Sequence, residues 1–135
     1  MRHWYVYHSQ KTMKATYLSL AESSAYSKSN RRELCLGDII WVIEGDQDNP
    51  TNFSIADCFK YTESDYPSPH GPFSDFKLKI SGSSLLKIGG LTLDKSMPWF
   101  DVLHSKYLSK QKSFNNITDE NDIVNGLFDV SDAII

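Results

Sequence analysis

Ser29, Asn30 and Arg31 are side chains that hydrogen-bond planar, polar or anionic groups. They fall just before a Gly37-Asp38 turn and an apolar, β-branched stretch that carries Trp41. A hydroxyl, an amide and a guanidinium set against a hydrophobic ring are the materials of a pocket for a small planar polar ligand. Aromatic residues crowd the same half of the chain, among them Trp4, Tyr5, Tyr7, Tyr26, Trp41 and Phe53. Aromatic faces stack on nucleobases at about 1–3 kcal/mol per base. A base turned out of its helix is held by such stacking together with hydrogen bonds to its edge. The competing reading is that an aromatic alternating in a strand is core, which is the expectation for Trp4. Trp41, following the polar run, is expected to share a hollow with Asn30. Arg31 and Arg32 read either as a solvated pair or as contacts to phosphate and base. His8, Ser9 and Gln10 leave the end of the first strand, where barrel loops carry ligand contacts.

One catalytic pattern stands beside this. Asp57 lies in a strand and Asp75-Phe76-Lys77 opens another, the minimal arrangement of a Mg²⁺-dependent phosphodiester nuclease: carboxylates hold the metal and a lysine steadies the attacking water. The plainer reading makes Lys77 and Lys79 the solvent face of a half-buried strand. Other chemistry finds no motif. The stretch from Gly82 to Gly90 lacks the Gly-Lys-Ser/Thr ending of a phosphate loop, and no zinc-protease, hydrolase-elbow or paired-cysteine motif occurs. His3, His8, His70 and His104 are too scattered for metal-ligand spacing, so no metal or cofactor is expected. Cys35 and Cys58 each lie in an apolar run and read as reduced core thiols of a cytosolic protein.

These residues need a scaffold. With 135 residues, 40% hydrophobic and 13% aromatic, one folded domain is expected. The net charge of −3 argues against a broad cationic coat, yet it is unevenly spread. From Thr118 onward come five acids and no base; the rest of the chain carries 14 bases against 12 acids, enough to meet a few phosphates. Residues 3–8 alternate as a strand, 9–17 read as a polar loop and 18–34 as short helical turns. Residues 39–44 form a central strand, with Ile39, Trp41 and Ile43 on one side and Ile40 and Val42 on the other.

The turn cluster at 45–50 predicts a hairpin into a strand over 53–61, which Asp57 interrupts. Residues 64–75 hold three of the five prolines and form the longest irregular loop, a candidate rim or lid. Strands follow at 76–80, 85–88 and 91–93. Ser96 and Pro98 open a helix striped by Trp99, Val102, Leu103 and Tyr107; Phe114 and Ile117 are core anchors. Thr118 is the expected N-cap of a last helix striped by Ile123, Val124, Leu127 and Phe128. The sum is α+β: a small, strongly bent mixed β-sheet or β-barrel with flanking helices over residues 2–128, then a tail or linker over 129–135. No apolar run approaches the roughly 20 residues that span a bilayer, so a cytoplasmic protein without a membrane partner is expected.

The order of these elements resembles the PUA-like superfamily and, within it, EVE-type domains, relatives of the YTH and ASCH domains. The resemblance is carried by the aromatic strand His3-Trp4-Tyr5-Val6-Tyr7, the polar run at 26–32, the Gly37-Asp38 turn with its apolar strand, and the phrases at 91–100 and 112–120. It covers residues 2–128 and is one of order and spacing. It implies a pocket for a modified nucleobase: methylated or hydroxymethylated cytosine in DNA for EVE-like members, methylated adenine in RNA for YTH-like ones. Carried over by position, the pocket residues are His8, Ser9, Tyr26, Ser29, Asn30, Arg31 and Trp41. The tryptophan usual in the family's helical run is absent, and Tyr26 is the nearest aromatic. Glu44 and Asp46 fall at the mouth, able to accept hydrogen bonds from a cytosine amino group, and Lys11, Lys28 and Arg32 are the phosphate contacts. The implied function is a non-catalytic reader of 5-methyl- or 5-hydroxymethylcytosine, the recognition module of a modification-dependent restriction system with a fused or associated nuclease. An RNA-binding PUA-like module and the Mg²⁺-dependent nuclease built on Asp57, Asp75 and Lys77 are the alternatives.

Overall fold

In the computed structural model, which describes residues 1–70 and 73–135, the period-two segments become strands β1 (His3–Ser9), β2 (Ser24–Ser27), β3 (Ile39–Gly45), β4 (Phe53–Asp65), β5 (Leu78–Ser84), β6 (Leu91–Leu93) and β7 (Phe114–Asn116). They form one mixed sheet in the order β2-β5-β4-β3-β1-β7, with β6 added to β4, strongly curled into a half-barrel. Every pairing is antiparallel except β1 with β3, where Tyr5 stands opposite Trp41. A parallel pair cannot be closed by a tight turn. Residues 10–38 make the crossover instead, and on the way they deliver β2 to the far edge of the sheet.

The alternation of β1 and β3 fixes two apolar layers. Trp4 and Val6 join Ile40, Val42, Phe59, Ile80, Ala25 and Phe114, a set drawn from six strands around which the sheet curls. On the other face Tyr5, Ile39, Trp41 and Ile43 meet the helical segments: α2 (Phe100–Leu103), which continues as a π-helical turn over His104–Leu108, and α3 (Asn121–Ser131). Gly37 takes φ +91°, a left-handed conformation that glycine adopts without penalty. It places Asp38 so that its carboxylate accepts from the Trp4 indole (3.0 Å) and the Cys35 amide (2.9 Å), which anchors Trp4 as core. Among the described residues no helix is long and apolar enough to cross a membrane.

Several local expectations change. Residues 9–17 are not all loop: Ser9 caps a one-turn helix α1 (Gln10–Met13), followed by a 3₁₀ turn at Tyr17–Leu20. The expected helical stretch contains strand β2, because Ala25 pairs with Ile80 and buries its methyl in the inner layer. Residues 76–77 precede β5, and Phe76 packs on Tyr26 instead of entering the core. Residues 85–88 form no strand. Thr118 does not cap α3; its hydroxyl accepts from the His3 amide at 3.0 Å, tying the late chain to β1. Cys58 is buried as expected, whereas Cys35 is exposed. Of the loop expected at 64–75, the first two residues extend β4, and residues 71 and 72 lie outside the described residues.

Candidate functional site

The crossover leaves the sheet at the end of β1 and rejoins it at β2, and between these two edges lies a cleft of about 850 Å³. Its walls are edges because their partners run out. β7 pairs with β1 from Trp4 to Val6 only, and β2 pairs with β5 alone. Val6, Val42 and Ala25 make its apolar floor; Lys11, Lys14 and Lys28 stand around it.

Three groups in this cleft have unspent hydrogen-bonding or stacking capacity. The His8 ring is buried, and its Nε2 lies 2.8 Å from the Ala15 carbonyl oxygen. A carbonyl only accepts, so Nε2 carries a proton, and in the neutral ring Nδ1 is the nitrogen with the lone pair. Ser24 is buried, and its hydroxyl makes no hydrogen bond of good geometry among the described residues. Burial raises the pKa of the Tyr26 phenol, and the Ser24 hydroxyl lies close enough to that phenol to lower it in part. Tyr26, half-buried, stacks on Phe73 at 4.5 Å and packs against Phe76 at 5.6 Å, and the Lys28 ammonium lies 5.8 Å from the Phe76 ring centre. Together they set an aromatic platform beside the His8 imidazole and a cationic rim.

Tyr17 holds the wall together. Its hydroxyl donates to Asp57 Oδ2 at 2.8 Å and accepts the Ser24 amide at 3.0 Å, while its ring meets His8 edge-on at 5.7 Å. Burial first, and the Asp57 carboxylate second, raise the pKa of the phenol far above its usual range, so it remains a donor. Nothing in the periodicity of residues 9–24 distinguishes Tyr17 or Ser24. The signal was the crossover itself, since a chain obliged to travel from β1 to the opposite edge must cross the open end of the curl.

Of the residues expected to bind a base, His8, Ser9, Tyr26 and Asp46 line the cleft, as do Lys11 and Lys28. Trp41 does not. It is fully buried in the outer layer, its indole donates to His3 Nδ1 at 3.0 Å, and Phe128 of α3 meets it edge-on at 5.1 Å. The strand's own alternation decides this: Val42 faces the cleft, so Trp41 faces the helices. Asn30 and Ser29 are exposed in the loop after β2, so the hollow expected between Asn30 and Trp41 is not formed. Arg31 bonds Ser27 Oγ through Nε at 3.0 Å and lays its guanidinium 4.9 Å from the Phe114 ring centre, closing the inner layer and standing outside the cleft. Arg32 is exposed in the same loop. Glu44 turns to a neighbouring cleft and accepts from the Tyr17 amide at 2.8 Å. Asp46 also organises its own turn, taking the Asn52 and Asp48 amides on Oδ1; the Asn52 amide bond is the largest cause holding its pKa below the usual carboxylate range.

The three nuclease candidates are dispersed. Asp57 sits at a β-bulge between β3 and β4, and its oxygens accept from Tyr17, Ser23, Ser84 and the Cys58 amide. Ser84 is at the far end of β5 from Lys77, a span of seven residues or roughly 20 Å along a strand. Asp75 is exposed before β5. Among the described residues no group of three or more His, Cys, Asp or Glu side chains is placed to hold a metal ion.

Compared with known protein families and with curated proteins, the chain matches no family model and no relative.

Proposed function

We propose that this chain is a non-catalytic nucleic-acid reader whose cleft between β1 and β2 takes a single extruded base, with a modified cytosine in DNA as its ligand. The observation that carries this reading is the company kept in the cleft: the Tyr26 and Phe76 rings, the His8 imidazole, and Lys11, Lys14 and Lys28 around them. A flipped base needs a stacking face and polar atoms at its edge, and the strand it leaves needs cations for its phosphates. The mechanism is extrusion of the base, stacking on Tyr26, edge contacts in the cleft, and phosphate contacts from the lysines. In a modification-dependent restriction system such a module supplies recognition, and cleavage falls to another domain or partner.

The test is a titration at matched salt with duplexes that differ only in the modification of one cytosine. Tighter binding of the 5-methyl or 5-hydroxymethyl duplex is expected, and equal affinities overturn the reading. Binding of single-stranded RNA without binding of modified duplex DNA would move the chain to the RNA-binding class.

A further inference from the structure

The geometry around His8 carries the proposed reading further, to the chemical face of the base. His8 is the only histidine lining the cleft among the described residues, and one of its two ring nitrogens is already engaged. The 2.8 Å bond from Nε2 to the Ala15 carbonyl fixes that nitrogen as the donor. In the neutral ring Nδ1 then presents a lone pair, on a side chain that lines the cleft. The Tyr17 ring packs edge-on against His8 and so holds the imidazole in place. A lone pair on Nδ1 of the neutral ring fits only a donor.

Resting on the base-reading function above, we infer that His8, through Nδ1, selects a base that carries an exocyclic amino group over one that carries a carbonyl at the same position. An amino group donates to the lone pair. A carbonyl in its place sets two acceptors against each other, and the ring can answer only by taking a second proton or by surrendering Ala15. A buried polar contact left unmatched is what makes such sites discriminate strongly.

The cleanest probe is a pair of single-stranded oligonucleotides, identical except for one 5-methylcytosine or one thymine. The two bases share the 5-methyl group and differ in a 4-amino against a 4-oxo group. The expected result is roughly tenfold or tighter binding of the 5-methylcytosine strand, in the range of one good edge contact. Long-range ¹H–¹⁵N spectra give a second readout: saturation with 5-methylcytosine should move the His8 Nδ1 resonance from a free toward an accepting nitrogen, and Nε2 should stay protonated. His8→Phe keeps a buried ring and should erase the preference; if that variant does not fold, the two wild-type measurements decide alone. Equal affinity for the two strands, or an unmoved Nδ1 at saturation, overturns the role of His8 and leaves base binding standing. Failure of both strands to bind overturns the role together with the reading it rests on.

Discussion

The indole of Trp41 donates its N–H to Nδ1 of His3 across 3.0 Å, and this bond requires the imidazole to be neutral on that nitrogen. Burial is the largest cause holding the pKa of His3 below its ordinary 6.5; the N-terminal charge lowers it further, and Asp38 pulls it partly back. The unfolded chain therefore takes up this proton at a higher pH than the folded one. The stability contribution is complete above about pH 6.5 and is lost as pH falls through the lower folded-state value. Denaturation midpoints measured from pH 7.5 down to 5 should decline. His3→Gln, which offers Trp41 an acceptor that does not titrate, should flatten the slope. Identical slopes for the two proteins would contradict the assignment.

Trp41 and Tyr26 should separate stability from binding. Trp41→Phe removes a fully buried ring system and its hydrogen bond, with an expected cost of roughly 1–3 kcal/mol in stability and an unchanged affinity for nucleic acid. Tyr26→Ala is expected to do the reverse. Its ring is half-buried at an edge strand, and loss of one stacking face corresponds to about 1–3 kcal/mol of binding. Urea denaturation and fluorescence titration of both variants check the pair.

Asp57 is a structural acceptor. Three hydroxyls and an amide converge on its carboxylate, so Asp57→Ala leaves them without a partner and should destabilise the fold by roughly 2–4 kcal/mol. Asp57→Asn retains one acceptor oxygen and should cost less. Mg²⁺ should leave the stability of either variant and of the wild type unmoved, which calorimetry with and without the ion can check. A Mg²⁺-dependent rise in the wild-type melting temperature that vanishes in Asp57→Asn would revive the nuclease arrangement.

Lys11, Lys14 and Lys28 surround the cleft, and each is expected to act on affinity through phosphate. Neutralising one should weaken binding to modified and unmodified strands alike and should lower the salt slope of log K by about one. A variant that changed the preference between strands and left the salt slope intact would place that lysine on the base instead.

The alternation in residues 3–8 and 39–44 was enough to place β1 and β3, to assign their faces and to mark β3 as central. That part was legible because a half-barrel core imposes period two on every strand that crosses it. The location of Trp41 was not legible. The alternation separates Trp41 from Val42 but does not tell which face the late helices will cover, since that depends on contacts with Phe128, far along the chain. Strand β2 was hidden for a related reason. Ser24-Ala25-Tyr26-Ser27 contains one small apolar side chain, and it becomes a strand through pairing with Leu78 to Ser81, contacts that no local pattern encodes. The cleft residues His8 and Ser9 were legible as the end of the first strand, and Tyr26 came only through the resemblance. Tyr17 and Ser24 were missed because their roles depend on what Asp57 and the β2 edge bring to them.

Chemical-shift mapping with a modified-cytosine oligonucleotide tests most directly whether the two open edges of the sheet form a base site. Perturbations at saturation should concentrate on His8, Ser9, Ser24, Tyr26 and Phe76, with the Trp41 indole resonance unmoved. Perturbations centred on Trp41 and Phe128, or on the cleft at Glu44 and Asp57 with β1 and β2 silent, would contradict it.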